Sequence, residues 1–249
     1  MKGFYGGKHP LSDITENPFT IISQLHYRSV LDHGYVKLLD MMGDDWSPVK
    51  AARVSYGDSL KGPEADKKLL RYLLKHNHTS PFEQVELQWE VKLPLFVKTE
   101  WDTHRTANRN GFSMRYADPS KLSENGEIEF YKPILWRQQD DKNKQGSTEA
   151  ISNPYHDKLY AELCENSAGL YRHYIKNGVA REMARMVLPV SAYTKMIWKN
   201  DLWNTWHFLK LRMADNAQWE IRQYANAMHL IMKDTLPVLM ELWDENNGQ

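Results

Sequence analysis

"VELQWEVKL", residues 85–93, decides the fold. Val85, Leu87, Trp89, Val91 and Leu93 alternate strictly with Glu86, Gln88, Glu90 and Lys92, which is the two-residue period of a strand with one buried and one wet face. Strands of a parallel sheet covered on both sides read as continuous apolar runs, so this alternation points to an antiparallel or mixed sheet. Upstream, "YVKLLDMMG" from Tyr35 is a second strand pattern, and Ser47 before Pro48 reads as a helix N-cap with proline at the first helical position. Between the strands, "GPEADKKLLRYLLKHNH" reads as a helix ending near Asn77, because Leu69, Leu70, Leu73 and Leu74 recur at helical spacing behind an acidic first turn. Downstream, Pro94 starts a helix, "PLFVKTEWDTHR", that delivers a basic segment at its C-terminal end. The segment 137–154, "RQQDDKNKQGSTEAISNP", is too polar to pack and reads as a long surface loop.

The second half reads as mostly helical, with helices from Pro154 to Gly178, through "AREMARMVL" to Pro189, from Asp201 to about Ala214, and from Ala217 onward. In the third of these, Leu202, Trp206, Leu209 and Met213 share one face while Trp203 and Leu211 cover much of another, so it reads as a central core helix. Trp198 and Trp219 read as core residues. The sum is an α+β fold, an antiparallel or mixed sheet flanked by helices. One domain spans residues 35–249, preceded by an N-terminal arm over residues 1–34.

Composition narrows the function. The chain has 249 residues, 41% of them hydrophobic, enough to bury a core. Lysine plus arginine (32) balances aspartate plus glutamate (32), which leaves no bulk positive field for nonspecific nucleic-acid binding. The one cysteine, Cys164, builds neither an intrachain disulfide nor a cysteine metal cluster; it fits a reducing compartment and reads as buried and inert. "HNH" at 76–78 gives no metal site. No run approaches the roughly 18 apolar residues of a membrane span, and "MKGFYGGKHPLSD" has no signal-peptide core, so the reading is soluble and cytoplasmic.

The chemistry concentrates in "THRTANRNGFSMRY", residues 103–116, which carries Arg105, Arg109, Arg115 and His104 without a carboxylate. Guanidinium donors match phosphate or the edge of a pyrimidine, and Ser113 with the following N–H groups would complete an anion cradle. On composition alone a solvated basic turn explains the segment equally well. Arg181 and Arg185 stand four apart on a predicted helix, where a surface face or a salt bridge to Glu182 would account for them. Arg212 follows an apolar run in a tryptophan-rich helix, where an unpaired guanidinium is costly unless an anion or ligand meets it.

The order of residues goes further. His104, Arg105, Ser113, Arg115 and Tyr116 fall in register with the signature Arg-His-Arg, seven residues, Ser, then Arg-Tyr, so the segment resembles that of the flavin-dependent thymidylate synthases. "AARVSYGD" (51–58), "KHNHTSPFEQ" (75–84), "VAREMARMVLP" (179–189) and "LRMADNAQWEIRQYA" (211–225) follow in the family's order, so the resemblance covers most of the chain. It implies that family's fold and the reductive methylation of dUMP at C5, with methylenetetrahydrofolate as carbon donor and NADPH-reduced FAD as hydride source. Cys164 lacks the Pro-Cys context of the unrelated cysteine-dependent enzymes, which favours activation of the ring by positioned charge. Carried over by position, Arg212 is catalytic at the pyrimidine; Glu100, Thr103, Ser113, Met114, Arg115 and Arg185 hold the nucleotide. Ser55, His78, Ser80, His104, Arg105, Thr106, Asp201 and His207 hold FAD. The partners implied are a pyrimidine nucleoside monophosphate, a folate, and three further copies in a homotetramer with shared active sites.

Six positions depart from the family pattern. Thr103 replaces the first signature arginine, Gly111 stands where glutamate is usual, and Glu100 stands where glutamine is frequent. Asp201, Trp203 and His207 occupy places where amide or arginine contacts to FAD are expected. A carboxylate at position 100 accepts from an exocyclic amine and repels a carbonyl. Flavin-dependent C5 methylation or hydroxymethylation of dCMP or UMP is therefore one alternative, and a non-catalytic nucleotide- or nucleic-acid-binding relative is another.

Overall fold

The computed structural model describes residues 26–57, 59–142 and 144–247, so residues 1–25 of the expected arm lie outside the described residues. Its strands are β1 (Tyr27–Val30), β2 (Gly34–Met42), β3 (Glu86–Pro94), β4 (Asn108–Gly111), β5 (Trp136–Gln139), β6 (Ser147–Ile151) and β7 (Tyr193–Asp201). Five of them form one sheet in the order β1-β2-β3-β7-β4, and every pairing is antiparallel. The helices are α1 (Ser47–Ala52), α2 (Pro63–Lys75), α3 (Leu95–Trp101), α4 (Pro154–Lys176), α5 (Arg181–Ala184), α6 (Leu202–Arg212), α7 (Trp219–Thr235) and α8 (Pro237–Asn247). The α+β class and the antiparallel sheet agree with the alternation read from residues 85–93.

β3 is central because its apolar face is answered on both sides. Leu87, Trp89, Val91 and Leu93 are fully buried, and Trp89 lies opposite Trp198 of β7. Against that face pack Trp101 at the end of α3, Phe208 of α6 and Tyr224 of α7. Trp101 stands edge-on to Trp198 at 5.4 Å and lies 4.4 Å from Phe208. Such rings bury roughly 150–250 Å² each and dominate a core of this kind. Gly34 marks the closest approach: a Cβ there would stand 2.1 Å from the Tyr224 hydroxyl, which donates to the Lys92 carbonyl.

Several local expectations are corrected. The opposite face of β3 is not wet along its whole length, since Lys92 is buried, ion-paired with Glu129 at 2.5 Å and bonded to the Leu122 carbonyl. Tyr27–Val30, inside the span assigned to the arm, is an edge strand of the sheet. Ser47 does not cap α1: its hydroxyl bonds Asp44, and the Asp44 carboxylate takes the Trp46 N–H. The expected loop at 137–154 contains most of a hairpin, β5 with β6, tied to the body by Arg137–Glu220 at 2.5 Å and by the Trp136 indole on Asp157. β7, between β3 and β4, is a strand where the sequence reading placed no element. The stretch through residue 189 holds only the four-residue α5 and a 3-10 turn, Arg185–Val187, and the last predicted helix is two, α7 and α8. Leu211 is exposed, so α6 is buried on one side only. Cys164 is buried and burial pushes its thiol pKa up, which leaves it the inert residue expected.

Candidate active site

Three elements converge on one cleft: the turn after α3, the end of β7, and the outer face of α6. The cleft, about 240 Å³, is lined by Thr103, His104, Arg105, Thr106, His207 and Arg212 among the predicted residues. Asn200 and Asn204, which sequence reasoning missed, complete its polar wall. The basic segment follows the C-terminal end of α3 as expected, but the helix ends earlier than the sequence suggests. α3 stops at Trp101, residues 102–107 turn back, and Asn108–Gly111 joins the sheet edge as β4 against β7.

That turn has its own staple. Arg109 donates to the carbonyls of Asp102 (2.8 Å) and His104 (2.7 Å) and pairs with the Asp102 carboxylate, which also takes Lys98 at 2.5 Å. One of the three signature-segment arginines is therefore structural. Gly111 leaves room beside it, since a Cβ there would meet only the Lys98 stem, at 3.8 Å.

Arg212, at the C-terminal end of α6, is the most constrained cation of the site. Its Nε–H donates to His104 Nε2 at 2.8 Å, one Nη donates to the Thr103 hydroxyl at 3.0 Å, and the other pairs with Glu100. The cost of burying a guanidinium is met here by groups of the same chain. Glu100 is engaged by this pair through one of its two carboxylate oxygens.

His104 is held well below the ordinary histidine range, at about 4, first by burial and then by the charges of Arg212, His207 and Arg109. The native state therefore binds fewer protons than the unfolded chain between about 6.5 and 4, so stability falls as pH drops through that window and the loss is complete below it. Solvent reaches the ring, which moderates the size. Thermal midpoints from pH 7 to pH 4 are expected to fall more steeply in the wild type than in His104→Gln, and equal slopes would remove this assignment.

The other predicted residues lie outside the cleft. Ser55 sits in an exposed 3-10 turn, Val54–Tyr56; His78 and Ser80 follow α2, with His78 stacked near Tyr72. Met114 is buried, and Arg115 lies over the Tyr116 ring at 5.2 Å. The N–H groups of Tyr116 and Ala117 are spent on the Ser113 carbonyl, so these two do not contribute to the expected anion cradle. Arg185 is exposed and donates to the Glu182 carbonyl, not to its carboxylate. Asp201 caps α6 through the Asn204 N–H and side-chain amide, which accounts for it without a cofactor.

Comparison with known proteins decides which family the chain belongs to. A family model described as thymidylate synthase complementing protein matches residues 37–238. A flavin-dependent thymidylate synthase of Thermus thermophilus is 47% identical over 231 residues, covering 93% of this chain and 80% of its own. The chain belongs to the flavin-dependent thymidylate synthase family. The Wolbachia pipientis wMel member is 45% identical, over 84% of this chain and 73% of its own. Among solved structures, the UMP/dUMP methylase PolB of Streptomyces cacaoi bound with 5-Br dUMP superposes with a TM-score of 0.75 at 28% identity, covering 88% of this chain and 97% of that one.

Flavin-dependent thymidylate synthases use FAD, with NADPH and methylenetetrahydrofolate as co-substrates. The cleft has the donors for such a group. The Thr205 hydroxyl has one proton and two acceptors in reach, Asn200 Oδ1 and the Asp201 carbonyl, and the other end of the buried Asn200 amide has no partner. Arg105 and Arg212 line the cleft with cationic donors that an acceptor-rich heterocycle or diphosphate would meet. At about 240 Å³ the cleft is smaller than the roughly 300 Å³ at which pockets for drug-sized ligands begin, so within this chain it has room for only part of a dinucleotide.

Proposed function

We propose that this chain catalyses the reductive methylation of dUMP to dTMP, taking the carbon from methylenetetrahydrofolate. FAD, reduced by NADPH, supplies the hydride that completes the methyl group. The observation that carries the reading is Arg212, a guanidinium fixed on three sides at the mouth of a donor-lined cleft in a chain of this family. A fixed cation beside a pyrimidine carbonyl stabilises the negative charge that builds there as C5 becomes a carbon nucleophile, and it does so without reorganising. In this reading Arg212 acts on the ring, while Glu100, Thr103, Ser113, the Met114 backbone, Arg115 and Arg185 hold the nucleotide. Ser55, His78, Ser80, His104, Arg105, Thr106 and His207 hold FAD.

These residues do not meet within one chain, which supports a homotetramer with shared sites. Ser55 is flanked by Val54 and Tyr56, 76% and 86% exposed, and Arg185 by Met186, 71% exposed. Apolar side chains this bare beside predicted ligand-binding residues are what a partner surface covers. Tyr56→Glu combined with Met186→Glu is expected to lower the native mass from that of four chains; an unchanged tetramer would sink the assignment of this surface.

The reaction is tested by incubating the reduced protein with methylenetetrahydrofolate and dUMP, UMP or dCMP, and recording product masses. Methylated dUMP is the expected product. PolB, a UMP/dUMP methylase, has been solved with 5-Br UMP as well as with 5-Br dUMP, so methylated UMP is the second reading. Methylated dCMP with neither dTMP nor methylated UMP would overturn both.

A further inference from the structure

We infer that Glu100, acting through Arg212, is a positioning residue that locks His104 as the neutral tautomer carrying its proton on Nδ1, so that the ring presents one fixed donor. The argument begins with valence. An arginine Nε–H can only donate, so the 2.8 Å contact to His104 Nε2 requires a lone pair on that nitrogen. A neutral imidazole with Nε2 unprotonated bears its hydrogen on Nδ1. The guanidinium cannot swing off this contact without breaking its Glu100 pair and its bond to Thr103.

The surroundings hold the ring neutral. On α6, Arg212 touches it and the His207 ring lies 6.0 Å away; from β4, Arg109 bonds its carbonyl; Phe208 packs on it at 4.9 Å. Of the nearby carboxylates, Glu100 is spent on Arg212 and Asp102 on Lys98 and Arg109. Protonation would add a cation among cations, which agrees with the lowered histidine pKa. His104 lines the cleft, so the locked proton serves an acceptor atom of a planar heterocycle and disfavours a donor at the same place. This last consequence rests on the reaction proposed above; the lock is a property of the ligand-free protein, so the two fail separately.

The test is side-chain nitrogen NMR on histidine-labelled, ligand-free protein, with His104 assigned by its loss in His104→Gln. The wild type is expected to show His104 with Nε2 unprotonated and Nδ1 protonated from pH 8 to below 6. In Glu100→Ala, Arg212 is released: the tautomers are expected to mix and the titration midpoint to rise towards the ordinary histidine value. Glu100→Gln keeps an acceptor oxygen and is expected to retain most of the wild-type signature, with far-UV circular dichroism reporting the fold of each variant. A wild-type His104 protonated on Nε2 would overturn the lock, and a wild-type tautomer that persists in a folded Glu100→Ala would overturn the role of Glu100.

Discussion

Arg212→Ala is expected to lower kcat by roughly 100- to 1000-fold, the loss found when one preorganised donor to developing charge is removed. All three nitrogens of the Arg212 guanidinium are fixed by neighbours, two side-chain oxygens and one imidazole nitrogen, which uses three of its five N–H donors. Alanine removes the cation and leaves Glu100 facing the cleft without its partner. Flavin content, measured by absorbance against protein, is expected to stay close to that of the wild type, because Arg105, Thr106 and Asn200 remain. Arg212→Lys retains a charge but loses the planar fork and the Nε donor, and its rate is expected to fall between the two. A wild-type kcat in Arg212→Ala would end the proposal that this guanidinium acts on the pyrimidine.

The second large effect is on stability. Trp101 is fully buried between Trp198, Phe208 and Tyr224, and its carbonyl receives the His104 N–H that begins the turn into the cleft. Trp101→Ala leaves a cavity that these rings cannot collapse, at a cost of about 3–5 kcal/mol. For a domain of this size that corresponds to a drop in Tm of roughly 6–20 °C. Trp101→Phe is expected to cost less than half as much, since its indole N–H has no partner to lose and a ring remains to pack. Denaturant midpoints at constant slope measure both, and a loss under about 1 kcal/mol for alanine would mean that this core is less continuous than its contacts indicate.

Legibility followed the source of each element's stability. α2 and β3 were readable because their apolar periods alone specify which face is buried: Leu70, Leu73 and Leu74 in one, Leu87 to Leu93 in the other. β7 has an alternation too, in Met196, Trp198 and Asn200 against Lys195, Ile197 and Lys199, but a buried amide in one row and an isoleucine in the other blur the pattern. The hairpin β5–β6 has no such pattern; its place comes from distant partners, Glu220 and Asp157, that local sequence cannot announce. The site behaved likewise. Charged members such as Arg105 and Arg212 drew attention through their cost or their motif, whereas Asn200 and Asn204 are neutral amides with no marker except their position at the strand end and helix start. The buried pairing of Lys92 with Glu129 was equally silent, because it is made by a loop that approaches from elsewhere in the chain.

The position of β7 has a consequence for how the molecule comes into being. β4 has β7 as its sheet neighbour, and among the described residues β7 is the last strand to be made. During vectorial synthesis the signature segment leaves the ribosome long before the strand that holds it, so it must wait without a seat while α4 and the hairpin emerge. The nascent protein thus cannot assemble this cleft until β7 and α6 have appeared, and a prematurely terminated product ending before Tyr193 would carry the recognisable motif without the strand that seats it.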